Sequence, residues 1–420
     1  MSRQRSVVGL VPGFLLCFLL LGHRVIAQET LDAGAFVRTV VRNHPSLKKA
    51  DHLVQAAQFA LKASGLQPNP TLTLAATAGD AGESSNVLTQ SFEISGQPRL
   101  RKERAAASLQ ATVLQRETVT RTLQSKAYRA WLSLWKQHRV LELNRLRVLL
   151  LEEMSRVAIR RFEVGEIAEN EALRVELAVA QAESDCTRAE AAFQSAEQAA
   201  KLLLAENWGR FEESATNPPE PRALLGKLEL PTVLESAGVH PSIQSMASNL
   251  RAAQLGAKLV SKERAPNLNL SLYRSSVLRT GGVEQGVQLS VSWPVFDWGS
   301  IGNRSLQREA EAKAYQASIE ETLLKNKQTV SDAWVRLQAA RHNCQVLKKQ
   351  AQRYEELARE SRIGYDVGIL TLTDVLQTES SYRQAGLELL QARARTFELE
   401  LRILELTGLP FPPSFHQEEL

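Results

Sequence analysis

Apolar residues along this chain recur in two periods, and the two alternate. Long stretches space them three and four apart, as on one face of a helix; four short stretches space them two apart, as on one side of a strand. Residues 31–64 read as helix, broken at Asn43-His44-Pro45 and stopped by Gly65 and Pro68-Asn69-Pro70. Two strands follow, at about 70–78 and 86–95, with Leu88, Phe92 and Ile94 on one side of the second. From Arg99 to Phe162 the helical period runs on without a proline. At 1.5 Å per residue such a helix is a rod of roughly 95 Å, a length that belongs to coiled coils. A turn at Gly165 leads into a further helix over 170–205.

After a Pro- and Glu-rich stretch without periodicity, the order restarts. Helix, strands at about 267–275 and 284–296, a rod over 301–363, a glycine turn and a helix over 371–406 follow in turn. Leu268, Leu270 and Leu272 share one side of the third strand; Val287, Leu289, Val291 and Trp293 share one side of the fourth. Within the second rod, Ala333, Leu337, Ala340, Cys344, Leu347, Ala351, Tyr354 and Ala358 step alternately by four and three, a heptad seam that makes Cys344 a packing residue.

The two halves are copies. Phe162-Glu-Val-Gly165 aligns with Tyr365-Asp-Val-Gly368 at a fixed offset, which also pairs Glu171 with Asp374, Leu173 with Leu376, and Ala130-Trp131 with Ala333-Trp334. Self-similarity of this kind describes the 420 residues better than two or three unrelated domains. The predicted organisation is a signal peptide at 1–27, a first repeat at 28–206, a linker or equatorial segment at 207–230, a second repeat at 231–408 and a tail at 409–420.

Composition changes this picture in two ways. Aromatic residues make up only 6%, which fits long Ala-, Leu- and Glu-rich helices rather than a broad aromatic core. The N-terminus has Arg3 and Arg5, then the apolar run Val7–Gly22, then Val25-Ile26-Ala27, the layout of a secretory signal. Its removal takes three arginines and lowers the net charge from +5 to +2, so the basic balance does not point to nucleic acid.

Four amphipathic strands are too few to close a barrel, but three chains supply twelve, an even number within the outer-membrane range. The apolar sides would then meet lipid and the Asn, Ser, Gln and Thr sides a wet lumen. Against this stands a soluble sheet laid with its apolar side on the helices. No phosphate-binding glycine loop, His/Cys cluster or nucleophile elbow occurs, so neither an enzyme nor a cofactor is expected. His44 and His240 each precede a proline at a helix break, which suits caps better than metal ligation.

The duplicated plan, Pro68-Asn69-Pro70, the two Val-Gly turns and the stretch Ser290-Val-Ser-Trp293-Pro-Val-Phe296-Asp-Trp-Gly299 together resemble the TolC family of outer-membrane factors. Ser91-Phe-Glu-Ile-Ser-Gly96-Gln-Pro-Arg99-Leu-Arg101 resembles most the CzcC-type branch for heavy-metal efflux. The resemblance implies a mainly α homotrimer with a twelve-stranded outer-membrane β-barrel and a coiled-coil tunnel across the periplasm. It would be the passive exit duct of a tripartite pump with a periplasmic adaptor and an inner-membrane transporter of the RND type. Heavy-metal cations are the implied cargo; drug efflux and type I protein secretion stay open, as does a structural periplasmic coiled-coil protein. Adaptor hairpins would dock at Val164, Gly165, Glu166, Val367, Gly368 and Ile369. By the same resemblance Tyr365 and Glu171 would latch the tip and Asp374 would form an acidic ring, with Thr371-x-x-Asp374 also readable as a capping box. Leu370 replaces a basic latch residue and Gln377 a second acidic ring, which together imply a weakly latched tip and modest cation preference.

Cleavage is expected after Ala27 without lipid attachment. Mass spectrometry of the mature chain checks this, and a start other than Gln28 or an acylated cysteine counts against it.

Overall fold

The computed structural model describes residues 32–77, 83–204, 208–209, 211–221, 223–225, 228–277 and 281–411. The expected signal peptide and most of the tail lie outside them. Helices α1 (Ala33–Asn43) and α2 (Pro45–Ser64) are followed by strands β1 (Thr71–Thr77) and β2 (Glu83–Glu93). Then come rod α3 (Gln97–Glu163), α4 (Glu169–Leu204), and the short α5 (Glu212–Thr216) and α6 (Leu230–Ser236). Helix α7 (Pro241–Ser261), strands β3 (Asn267–Val277) and β4 (Val283–Ser292), rod α8 (Ser300–Asp366) and α9 (Leu372–Leu406) complete the second repeat.

Each rod is 67 residues long, so each extends about 100 Å. His44 and His240 are N-caps: each ring accepts a hydrogen bond from the backbone N–H two residues on, at Ser46 and Ser242. The heptad seam of α8 is where burial falls, from Ala333 and Leu337 through the half-buried Cys344 to Ala358. Two expected bounds need correction: rod α8 runs through Gly364 to Asp366, and the fourth strand stops short. A Cβ on Gly364 would come within 2.8 Å of Leu370 Cδ1, so a larger residue there would push that leucine side chain aside. Strand β4 ends at Ser292, which leaves Trp293 just beyond it, its indole N–H donating to Arg264 O at 3.1 Å. Within 207–230, Phe211, Ala215, Leu224 and Leu225 are buried in the main core with Phe36, Trp131 and Leu401.

That core forms a layer on one flank of the rods at mid-height. Phe36 packs against Trp131 and Phe211, with ring centroids 5.4 and 5.6 Å away. Glu400, 2% exposed, accepts the backbone N–H of Leu224 at 2.8 Å and pairs with Arg341 at 2.7 Å. Arg341 also donates to Leu225 O. The loop is thereby tied to α8 and α9 through a carboxylate that burial would otherwise make costly.

The strands form one antiparallel sheet in the order β1-β2-β3-β4. Its register sorts the side chains as the alternation predicts. Leu72, Leu88, Leu272 and Val287 form one row across the four strands, and Phe92, Leu268 and Val291 another. Leu270 sits opposite Leu289, with Gln90 the polar exception in that row. On the other side Thr89 pairs with Ser271 (2.9 Å) and Ser91 with Asn269 (2.7 Å). The apolar side is not laid on the helices: Val287 is 68% exposed and Leu289 67%. A soluble sheet covered by its own rods is thus excluded among the described residues. No described helix is long and apolar enough to cross a membrane.

Arginine at Leu270 or Leu289 is expected to cost about 2–4 kcal/mol near a bilayer midplane and to block assembly, while arginine at Ser290 leaves assembly intact. Trimer yield on native gels checks this, and equal defects at all three positions would refute the alternation.

Candidate functional site: the double turn at the end of the rods

Both rods end in the same turn. In the first, Glu166 N–H donates to Arg161 O (2.8 Å) and Gly165 N–H to Phe162 O (2.9 Å). In the second, Ile369 N–H donates to Gly364 O (2.8 Å) and Gly368 N–H to Tyr365 O (3.0 Å). This is the Schellman arrangement, whose C′ residue takes a left-handed backbone. Gly165 and Gly368 take it, at φ 78° and 76°. A Cβ on either would meet nothing within 4 Å, so the obstacle to a larger residue is backbone strain rather than space. Around them Val164, Val367 and Ile369 are exposed, with Ile369 at 79%; Glu166 is exposed as well.

The helices that leave the two turns start differently. Thr371 caps α9: its hydroxyl accepts the Asp374 N–H, and the Asp374 carboxylate accepts the Thr371 N–H (3.1 Å) and hydroxyl (2.6 Å). These bonds hold the Asp374 carboxyl below the usual carboxylate range. The first repeat has Ala168 where Thr371 stands, so Glu171 lies in the first turn of α4 without that reciprocal cap. Gln377, one turn beyond Asp374, is exposed.

The expected Tyr365–Glu171 bond is not formed within the chain. Tyr365 is buried against Leu151, Met154, Ala158 and Val375, and its hydroxyl has no hydrogen-bond partner. What meets it is Arg161, whose guanidinium lies 4.5 Å from the ring centroid and donates to the Tyr365 carbonyl at 3.5 Å. A second arginine of the first repeat, Arg174, donates to the Thr373 hydroxyl (3.1 Å). The cations that meet the second turn thus come from the first repeat. Sequence reasoning passed over Arg161 because its repeat equivalent is Gly364, and a position that is charged in one copy and bare in the other carries no repeated signal.

Below the turns, Glu379 and Arg362 pair at 3.0 Å; burial pushes the Glu379 carboxyl up, and Arg362 opposes that. Among the described residues no group of three or more His, Cys, Asp or Glu is placed to hold a metal ion.

Two 67-residue rods, each ending in a Schellman turn, and a four-stranded sheet at their far end give the chain a fold that it shares with solved outer-membrane channels. Residues 235–409 match the family described as "Outer membrane efflux protein". Outer membrane efflux protein BepC of Brucella suis biovar 1 (strain 1330) is 23% identical over 416 residues, covering 94% of this chain and 88% of that one. Among solved structures, a membrane protein from Pseudomonas aeruginosa superposes with a TM-score of 0.76 at 18% identity, over 91% of this chain and 92% of its own. The Campylobacter jejuni CmeC outer membrane channel gives 0.74 at 16%, over 90% and 86%. The fold likeness spans both repeats, while the family match lies in the second. Neither selects the CzcC-type branch.

Asp374→Asn is expected to speed amide exchange in the first turn of α9 at neutral pH. A carboxylate with a depressed folded pKa stabilises above its unfolded value and ceases to as pH falls through the folded one. The difference between parent and variant should therefore vanish in acid below the normal carboxylate range, as hydrogen-exchange mass spectrometry would show.

Proposed function

We propose that three copies of this chain form a passive efflux duct in the outer membrane, with a barrel of twelve strands continued by a periplasmic helical tunnel. The observation that carries this reading is the sheet: four strands, an apolar side that nothing in the described chain covers, and β1 and β4 each left as an edge. An open edge beside an uncovered apolar side is a liability in water. Pairing β4 of one copy with β1 of the next removes every edge and gives the apolar side to lipid.

At the other end, the exposed Val164, Val367 and Ile369 around the glycine turns offer a small apolar surface for the hairpin of a periplasmic adaptor, which would bring an inner-membrane transporter of the RND type. The duct does no chemistry; the transporter supplies energy and chooses cargo. The heavy-metal reading rests on the resemblance of Ser91–Arg101, and two charged residues of that stretch, Glu93 and Arg101, serve a joint. Arg101 pairs with Glu93 at 2.5 Å and donates to the carbonyls of Ser64 and Leu66, which fixes strand β2 against the start of α3. Drug-like solutes and secreted polypeptides fit the same duct.

The expected behaviour is a trimer that fractionates with the outer membrane and dissociates only on heating. A monomeric rod in the soluble periplasmic fraction would instead make it a structural envelope protein. Replacing Gly165 or Gly368 by valine should reduce cross-linking to the adaptor and abolish export at normal trimer levels. Lower trimer levels with unchanged cross-linking per trimer would confine the glycines to shaping the turn.

A further inference from the structure

At mid-height the rods have one bare flank. Between residues 121 and 135, α3 exposes only Thr122, Lys126, Arg129 and Ser133; between 391 and 406, α9 exposes only Gln391, Arg395, Glu398 and Arg402. Steps of three and four place each set on one line of its helix. Those lines lie opposite Trp131 and Glu400, which face the core layer. With α8 they bound a groove of ≈ 490 Å³. Its cations are Arg129, Lys136, Arg336, Arg395 and Arg402; its carboxylates are Asp332 and Glu398. Glu405 adds one more, shared by Arg129 (2.6 Å) and Arg402 (3.4 Å). Two positive charges per chain are left over.

We propose that this flank is the tunnel wall at the equator, and that three copies form a basic belt that makes the duct favour anionic solutes, those bearing carboxylate or phosphate, over cations. The inference rests on the duct reading of the preceding section. If the rods form a single-layered wall, the layer of α1, α5, α6, Leu224 and Leu225 must sit outside, since the same bulk inside would plug the passage. The bare flank then faces the lumen. A ring of like charge between low-dielectric walls concentrates counter-ions and sets selectivity. The acidic group at the tip does not cancel it. Arg129 lies about 50 Å along α3 from the turn, several screening lengths at physiological salt, and Asp374 is engaged by Thr371. This reverses the cation preference that Asp374 alone implies.

The test uses the assembled full-length protein with Cys186→Ser and Cys344→Ser, and Ser133→Cys as a reporter on the bare line. Its modification rates by an anionic and a cationic thiosulfonate of similar size are compared with those of a small free thiol. The expected result is an anionic-to-cationic ratio several-fold above the free-thiol value, reduced toward it in molar salt. Adding Lys136→Gln, Arg336→Gln and Arg395→Gln should reduce it as well. A ratio at or below the free-thiol value in the parent overturns the belt while leaving the duct standing. A trimer whose reporter reacts with neither reagent until unfolded overturns the lumen placement. A chain that never forms trimers fails at the duct reading, and the belt falls with it. Should the triple variant misfold, the salt dependence of the parent decides alone.

Discussion

The buried carboxylate of Glu400 ties together parts of the chain that lie far apart in sequence. It comes from α9, its cation from α8, and its amide donors from the loop that joins the two repeats. A lone ionised group at 2% exposure would be prohibitive, so the three partners must arrive together. Their meeting decides on which flank of the rods the loop lies. Arg121 makes a similar closure nearby, donating to the carbonyls of Gly408 and Leu409 where α9 ends. The bare flank opposite follows from this arrangement, because Trp131 and Leu134 of α3 and Leu401 of α9 are buried in the core layer.

The two repeats share a backbone and divide the chemistry. The turns match bond for bond, because that geometry depends on a glycine and on main-chain groups. The side chains around them do not match. The second copy keeps a reciprocal cap at Thr371 and Asp374 and a leucine folded over Gly364; the first supplies Arg161 and Arg174, which reach across to its sister turn. A duplicated chain can specialise in this way without disturbing the fold, since the rods need only the apolar seam to be held in common.

Much of this was legible in the residues. The rods, the turns, the strand alternation and the histidine caps follow from period, glycine and proline, which act locally. The Thr371 cap was legible for the same reason. What the sequence hid depends on distance. Glu400 reads as an ordinary surface position of a helix until Leu224 and Leu225 are found bonded to it. Arg161 looks like one more solvated arginine until Tyr365, 204 residues on, is found beneath it. The contact of Gly364 with Leu370 is hidden too, because that leucine arrives from beyond the turn.

The rods begin with left-handed glycines, Gly96 and Gly299, and end with two more, Gly165 and Gly368, so both spans between these corners are the same length. The molecule thus carries two copies of one ruler, marked at both ends by left-handed residues whose backbone disfavours a side chain. A deletion of one heptad in α3 alone would slide its turn about 10 Å past its sister and shear every contact between them. The same deletion made in both rods, and in the helices that return along them, would keep the turns in step. A change in the length of the molecule that preserves its contacts therefore comes in matched, heptad-sized steps.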